Sequence, residues 1–236
     1  MPQGGLAALG GIAIDLKGIA VPQKLTLTLS RPGADYRNAY PLWVFPPDVD
    51  VATPEGVTVA AAFDDRARAA LAVGGRVLLL TSSASTLPAS IDGAFVTDFW
   101  CYPMFKMYRP PGTLGILCDP AHPTLAGFPA ESHSDWQWRR LVKAGRPMVL
   151  DGLPRELRPV VQVIDNFERN HKLGLIWEAR VGAGKLLVCS IDLPGLQERP
   201  EARQLYHGLL KYAAAARFDP PVSVEPAALA ELIRPE

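Results

Sequence analysis

Five residues able to bind metal or move protons fall between positions 119 and 135: Asp119, His122, Glu131, His133 and Asp135. Carboxylates and imidazoles gathered in this way serve as metal ligands or as a general base. Asp119, Glu131 and Asp135 would be the metal ligands and a divalent cation such as calcium the cofactor, since hard cations take oxygen. His122 and His133 would be the catalytic bases. The spacing matches no established metal motif, and an ordinary alternative stays open. In it Asp119 caps a turn, Pro120 and Pro123 stiffen the loop, and Ser134 starts a helix.

Two nucleophiles stand near apolar runs. Ser82, with Ser83 and Ser85 behind it, follows the run Arg76 to Thr81 and would attack an ester or lactone if a histidine lay within reach. No G-x-S-x-G elbow supports this, and a solvated serine turn accounts for the same residues. Cys118 precedes Asp119, whose charge raises a thiol pKa, so a buried structural thiol is the stronger reading there. Cys101, Cys118 and Cys189 are odd in number and lack C-x-x-C spacing, which argues against a disulfide framework or structural zinc site.

Ligand contacts have their own candidates. Trp100 and Tyr102, with Phe105 and Tyr108, cluster beside prolines, and aromatic faces of this kind stack on sugar rings. Trp136 and Glu131 would complete such a ligand-binding surface. The same aromatics would equally face a neighbouring domain. The polar run Asp165 to Lys172 reads first as a surface loop between two strands.

These residues need elements to position them. From Tyr40 the chain alternates short apolar runs with helical segments: YPLWVFP, TVAAAF, RVLLLTS, AFVTDFW, TLGILCD, PMVLDGL, VVQVI, KLGLIWEA and KLLVCSI. Runs so uniformly apolar suit strands covered on both faces, so an α/β fold with a largely parallel sheet and helices on both faces is expected. Asp64 or Asp65 caps a helix that ends at Gly74-Gly75, and Ser134 with Gln137 forms a capping box for a second helix. Pro200 and Glu201 open a third, with an apolar stripe of Ala202, Leu205, Tyr206, Leu209 and Leu210 that reads as core. Residues 227–233 add a terminal helical turn.

The first forty residues differ. KLTLTLS, from Lys24 to Ser30, alternates with period two like a strand with one buried face, and GGIAIDLKGIAVPQ reads as another strand followed by a turn. The expected organisation is an N-terminal β segment at 1–39, the α/β domain at 40–218 and a tail at 219–236. The segment either packs on the main domain or is the remnant of a β-sandwich.

Three stretches carry a family likeness: DYRNAYPLWVFP (Asp35 to Pro46), TLGILCDPAHPTLAGFPAESHSDWQW (Thr113 to Trp138) and VVQVIDNFERNHKLGLIWEARVGAGKLLVCSIDL (Val160 to Leu193). They resemble the C-terminal class I glutamine amidotransferase-like module of glycoside hydrolase family 2 (β-galactosidase-like) proteins. His122-Pro123 followed by Gly127-Phe128, and Val181-Gly182-x-Gly184-Lys185, are similar more faintly to trehalose-utilisation-like domains. The resemblance implies a flavodoxin-like sheet. Glycosidase activity does not come with it, because the (β/α)8 barrel that carries the paired carboxylates alone takes about 250 residues. Nor does amidotransferase activity, since no Cys follows the run Arg76 to Thr81 and the late SIDLP segment has no His.

Function is therefore expected to be that of an accessory or interaction module derived from a carbohydrate-active enzyme. The alternative is a small hydrolase for an ester or lactone bond, metal-assisted or not, built on the 119–135 loop. Partners would be a small molecule or glycan, or neighbouring domains of a larger hydrolase. With 24 basic and 24 acidic residues the formal charge is zero, so neither nucleic acid nor an anionic membrane is favoured. Leu6 to Ile14 lacks a basic leader and is too short to span a bilayer, so the chain as given reads as cytoplasmic, although members of the resembled family are often exported.

Overall fold

The computed structural model describes residues 4–235 except 9, 34 and 97–111. Two strands, β1 (Gln23–Ser30) and β2 (Arg37–Val44), pair antiparallel as a separate hairpin. The remaining elements are β3 (Val57–Ala60), α1 (Asp65–Ala72), β4 (Arg76–Leu80), β5 (Thr113–Cys118), α2 (Trp138–Lys143), β6 (Met148–Val149), β7 (Val161–Asp165), β8 (Leu173–Val181), β9 (Gly184–Cys189), α3 (Pro200–Ala214) and α4 (Pro226–Leu232). Seven described strands form one sheet in the order β3-β4-β9-β8-β7-β5, with β6 also on β8.

The sheet is mixed, not largely parallel. Among the described strands only β3–β4 and β4–β9 pair in parallel, and the pairings of β5, β6, β7 and β8 with other strands of the sheet are antiparallel. For β8 and β9 connection length is the physical reason. Parallel neighbours need a crossover of about a dozen residues, whereas β8 and β9 are joined through Gly182 and Ala183 alone, with Gly182 at φ 57°. Uniform apolarity reports something else, namely that both faces are covered. On one face Leu78, Ile176 and Leu187 pack with Leu205 and Leu209 of α3 and Leu141 of α2. On the other, Val77, Trp177 and Leu186 pack with Leu71 of α1 and Leu229 of α4.

Local signals account for the helix ends. Asp64 Oδ1 accepts from Ala67 N at 2.8 Å and starts α1, while Gly74, at φ 83°, ends it before β4. The expected capping box at Ser134 does not form. Its hydroxyl accepts from Ile116 N at 2.8 Å on the edge of β5, and α2 begins only at Trp138. Residues 10–22 form no strand, and Ile12 and Ile14 stand exposed. Among the described residues no helix is long and apolar enough to cross a membrane.

The hairpin rests on the loop at 128–131. Trp43 Nε1 donates to Pro129 O at 3.2 Å, Phe45 stacks on Phe128 at 6.1 Å, and Lys24 pairs with Glu131.

Candidate functional site

Beyond β5 the chain turns back along the strand's outer edge, where Cys118 N donates to Ser132 O at 3.0 Å and Leu117 bridges His133. This return brings residues 131–136 opposite the hairpin and opens a cleft of about 730 Å3 between them. Four residues singled out by their types meet there: Glu131, His133, Asp135 and Trp136. Lys24, Pro41 and Trp43 of the hairpin, with Phe95, Ser134 and Arg139, complete the lining. Trp136 is 73 % exposed, an unusual state for the largest apolar side chain.

One ion pair stands in the cleft, between Lys24 and Glu131. Lys24 holds Glu131 and lies 5.7 Å from the centroid of the Trp43 ring. Hydrogen bonding and attraction from that ammonium keep the Glu131 carboxyl below its ordinary range. Asp135 accepts from Gln137 N at 3.0 Å and from Gln137 Nε2 at 2.9 Å, yet burial raises its pKa overall. Gln137 Nε2 also donates to Pro129 O, which ties the loop before the cleft to the loop behind it.

The oxygen ligands expected for a cation do not converge. Asp119 Oδ1 accepts from Ala121 N in its own turn, Glu131 is held by Lys24, and Asp135 caps the turn into α2. Among the described residues no three His, Cys, Asp or Glu side chains come close enough to hold a metal ion. The donor set present suits turns and an ion pair, not a calcium cage.

Ser82 and the histidines stand apart. Glu178 of β8, which faces His122, is level with Leu187 of β9 and Leu78 of β4, while Ser82 lies four residues beyond Leu78. Two strand spacings and four residues of rise put Ser82 roughly 10 Å across and about 13 Å along from that point. The neighbouring hydroxyls bond one another, Ser83 Oγ to Ser85 Oγ at 2.7 Å, as a serine turn does. His171 is taken by Asp151 at 2.6 Å, and Asp165 by Arg169 at 2.6 Å, so both are already engaged within the fold. Cys118 donates its thiol to Glu131 O at 3.1 Å, and burial first, then Asp135 and Asp119, push its pKa up to about 11. Such a thiol stays protonated and is a poor nucleophile. Trp100 and Tyr102 lie outside the described residues.

His122 belongs to a second group, on the α3 face of the sheet. Its Nδ1 accepts from Thr124 N at 3.2 Å, which leaves the neutral ring with its proton on Nε2, 3.9 Å from Glu178 Oε1. The ring meets Tyr212 edge-on at 5.5 Å. Glu178 is buried, its Oε2 has no hydrogen-bond partner, and desolvation raises its pKa despite the Tyr212 hydroxyl. Desolvation lowers that of His122. Nothing in the local sequence pointed to Glu178 or Tyr212, which sit within apolar strand and helix patterns. A glutamate inside the run KLGLIWEA was the one available sign.

Residues 58–234 match the family model described as domain of unknown function (DUF8487). The chain belongs to that DUF8487 family. Residues 1–46 match a second model, domain of unknown function (DUF8488). No curated protein matches the chain. The cleft therefore draws Lys24 and Trp43 from the DUF8488 stretch, while Phe95 and the 131–139 residues come from the DUF8487 region.

Proposed function

We propose that this chain is a non-catalytic accessory module derived from a carbohydrate-active enzyme, and that it holds a glycan in the cleft between the hairpin and the 131–139 segment. The observation that carries the reading is Trp136, 73 % exposed in a cleft of about 730 Å3. That volume lies within the roughly 300–1,000 Å3 of small-molecule sites. An exposed indole beside Glu131, Asp135, His133 and Arg139 offers what a sugar needs, a flat apolar surface for one ring face and charged hydrogen-bonding groups for the hydroxyls.

The ancestry we propose is the amidotransferase-like module of glycoside hydrolase family 2 proteins, with its flavodoxin-like sheet. The parallel β3-β4-β9 half and the helices on both faces support it. Calorimetric titration of the chain against neutral and acidic oligosaccharides tests the binding. Trp136→Ala should abolish saturable binding while leaving the melting temperature within about 2 °C, because exposed substitutions cost little. Undiminished binding by that variant would remove the cleft from the proposal.

One observation favours a second reading, a small hydrolase for an ester or lactone. Glu178, held toward its protonated form beside His122 and Tyr212, is the kind of perturbed group that active sites use. Against it, His122 Nδ1 is already engaged by Thr124 N. Turnover of ester or lactone substrates that Glu178→Gln eliminates would favour this reading over the first.

A further inference from the structure

The charges of the cleft are unequally committed, and the inequality specifies the ligand. Lys24 and Glu131 neutralise each other. Asp135 is drawn into hydrogen bonds with Gln137, and burial moves it toward its neutral form. Arg139 is exposed, lines the cleft, and has no ion-pair partner among the described residues. The cleft thus presents one uncommitted guanidinium three residues from the exposed indole of Trp136.

Resting on the glycan reading above, we infer that the cleft selects an acidic sugar, with Arg139 gripping the ring carboxylate of a uronic acid while Trp136 takes the ring face. A guanidinium offers two parallel N–H donors that match a carboxylate. With Glu131 neutralised by Lys24, the one uncommitted guanidinium matches a single negative charge, whereas a dianion such as a phosphate monoester would leave one charge unpaired, so the site favours a single carboxylate. No bond is made or broken. The sugar is held and released unchanged.

The test is calorimetric titration of the full chain with two disaccharides that differ only at C6, one ending in glucuronic acid and the other in glucose. The acidic one should bind about tenfold or more tighter, the scale of a charge-assisted hydrogen-bonded pair. Arg139→Gln should bring the acidic disaccharide down to the affinity of the neutral one, and Arg139→Lys should keep part of the difference, since an ammonium offers charge without the fork. Arg139 is exposed, so circular dichroism of both variants should match the parent. Equal binding of the two disaccharides with Arg139→Gln silent would overturn the acidic-sugar inference and leave the glycan reading standing. Binding of neither would overturn both.

Discussion

Glu178 is the residue whose surroundings depart furthest from what its type prefers, a carboxyl on a central strand with one oxygen that has no partner. Burial raises its pKa above the ordinary 4.5, so the folded chain holds the proton more tightly than the unfolded one. Stability from this group is complete below pH 4.5 and is lost as pH rises through the folded value. Glutamine cannot ionise and keeps a carbonyl oxygen for the Tyr212 hydroxyl. The melting temperature of Glu178→Gln relative to the parent should therefore climb as pH rises from 4.5 and level off once pH has passed the raised folded pKa, measured by thermal melts in matched buffers. A gap that stays constant with pH would show that Glu178 titrates as an exposed glutamate does. His122 has the opposite window. Its lowered pKa means that its contribution is whole above 6.5 and lost as pH falls. The cleft residues divide by how they could be read from the chain. Glu131, His133, Asp135 and Trp136 lie in one stretch and were legible together. Lys24 meets Glu131 across 107 residues, a juxtaposition that no local pattern encodes.

At the level of elements, each end signal that rests on a single nearby hydrogen bond can be tested alone. Asp64 caps α1 through Ala67 N and nothing else replaces it, so Asp64→Ala should cost roughly 1 kcal/mol and lower the melting temperature by about 2–4 °C. No change on that substitution would mean that packing of Ala67 and Leu71, not the cap, decides where the helix starts. The cap was readable because it is local. The sheet's strand directions were not, because apolar runs covered on both faces look alike whichever way they run. Connection length held the missing information: Val181 and Gly184 are partners across a two-residue turn, which admits only an antiparallel pair. The capping box failed for a related reason. Ser134 has two possible employers, and the open edge of β5 offers Ile116 N, a donor that no neighbouring residue in the chain announces.

For the molecule as a whole, the hairpin and the larger sheet are unequal partners. Among the described strands β1 and β2 pair only with each other, and Leu29, Tyr40 and Leu42 of the hairpin stay exposed. A two-stranded hairpin is marginal by itself, so its order depends on the Trp43–Pro129 hydrogen bond, the Phe45–Phe128 stack and the part-exposed Lys24–Glu131 pair. β8, by contrast, is buried along its length except at Arg180 and lies between the two apolar clusters. Opening of the hairpin should therefore cost much less free energy than opening of the sheet. Hydrogen exchange at neutral pH should find the β1 and β2 amides orders of magnitude faster than those of β8 and β9. Because one wall of the cleft belongs to the hairpin, a saturating acidic disaccharide should slow exchange in β1 and β2 and leave β8 and β9 unchanged, since ligand binds only the closed arrangement. Hairpin amides as slow as those of β8 would make the chain a single cooperative unit and deprive the cleft of a movable wall.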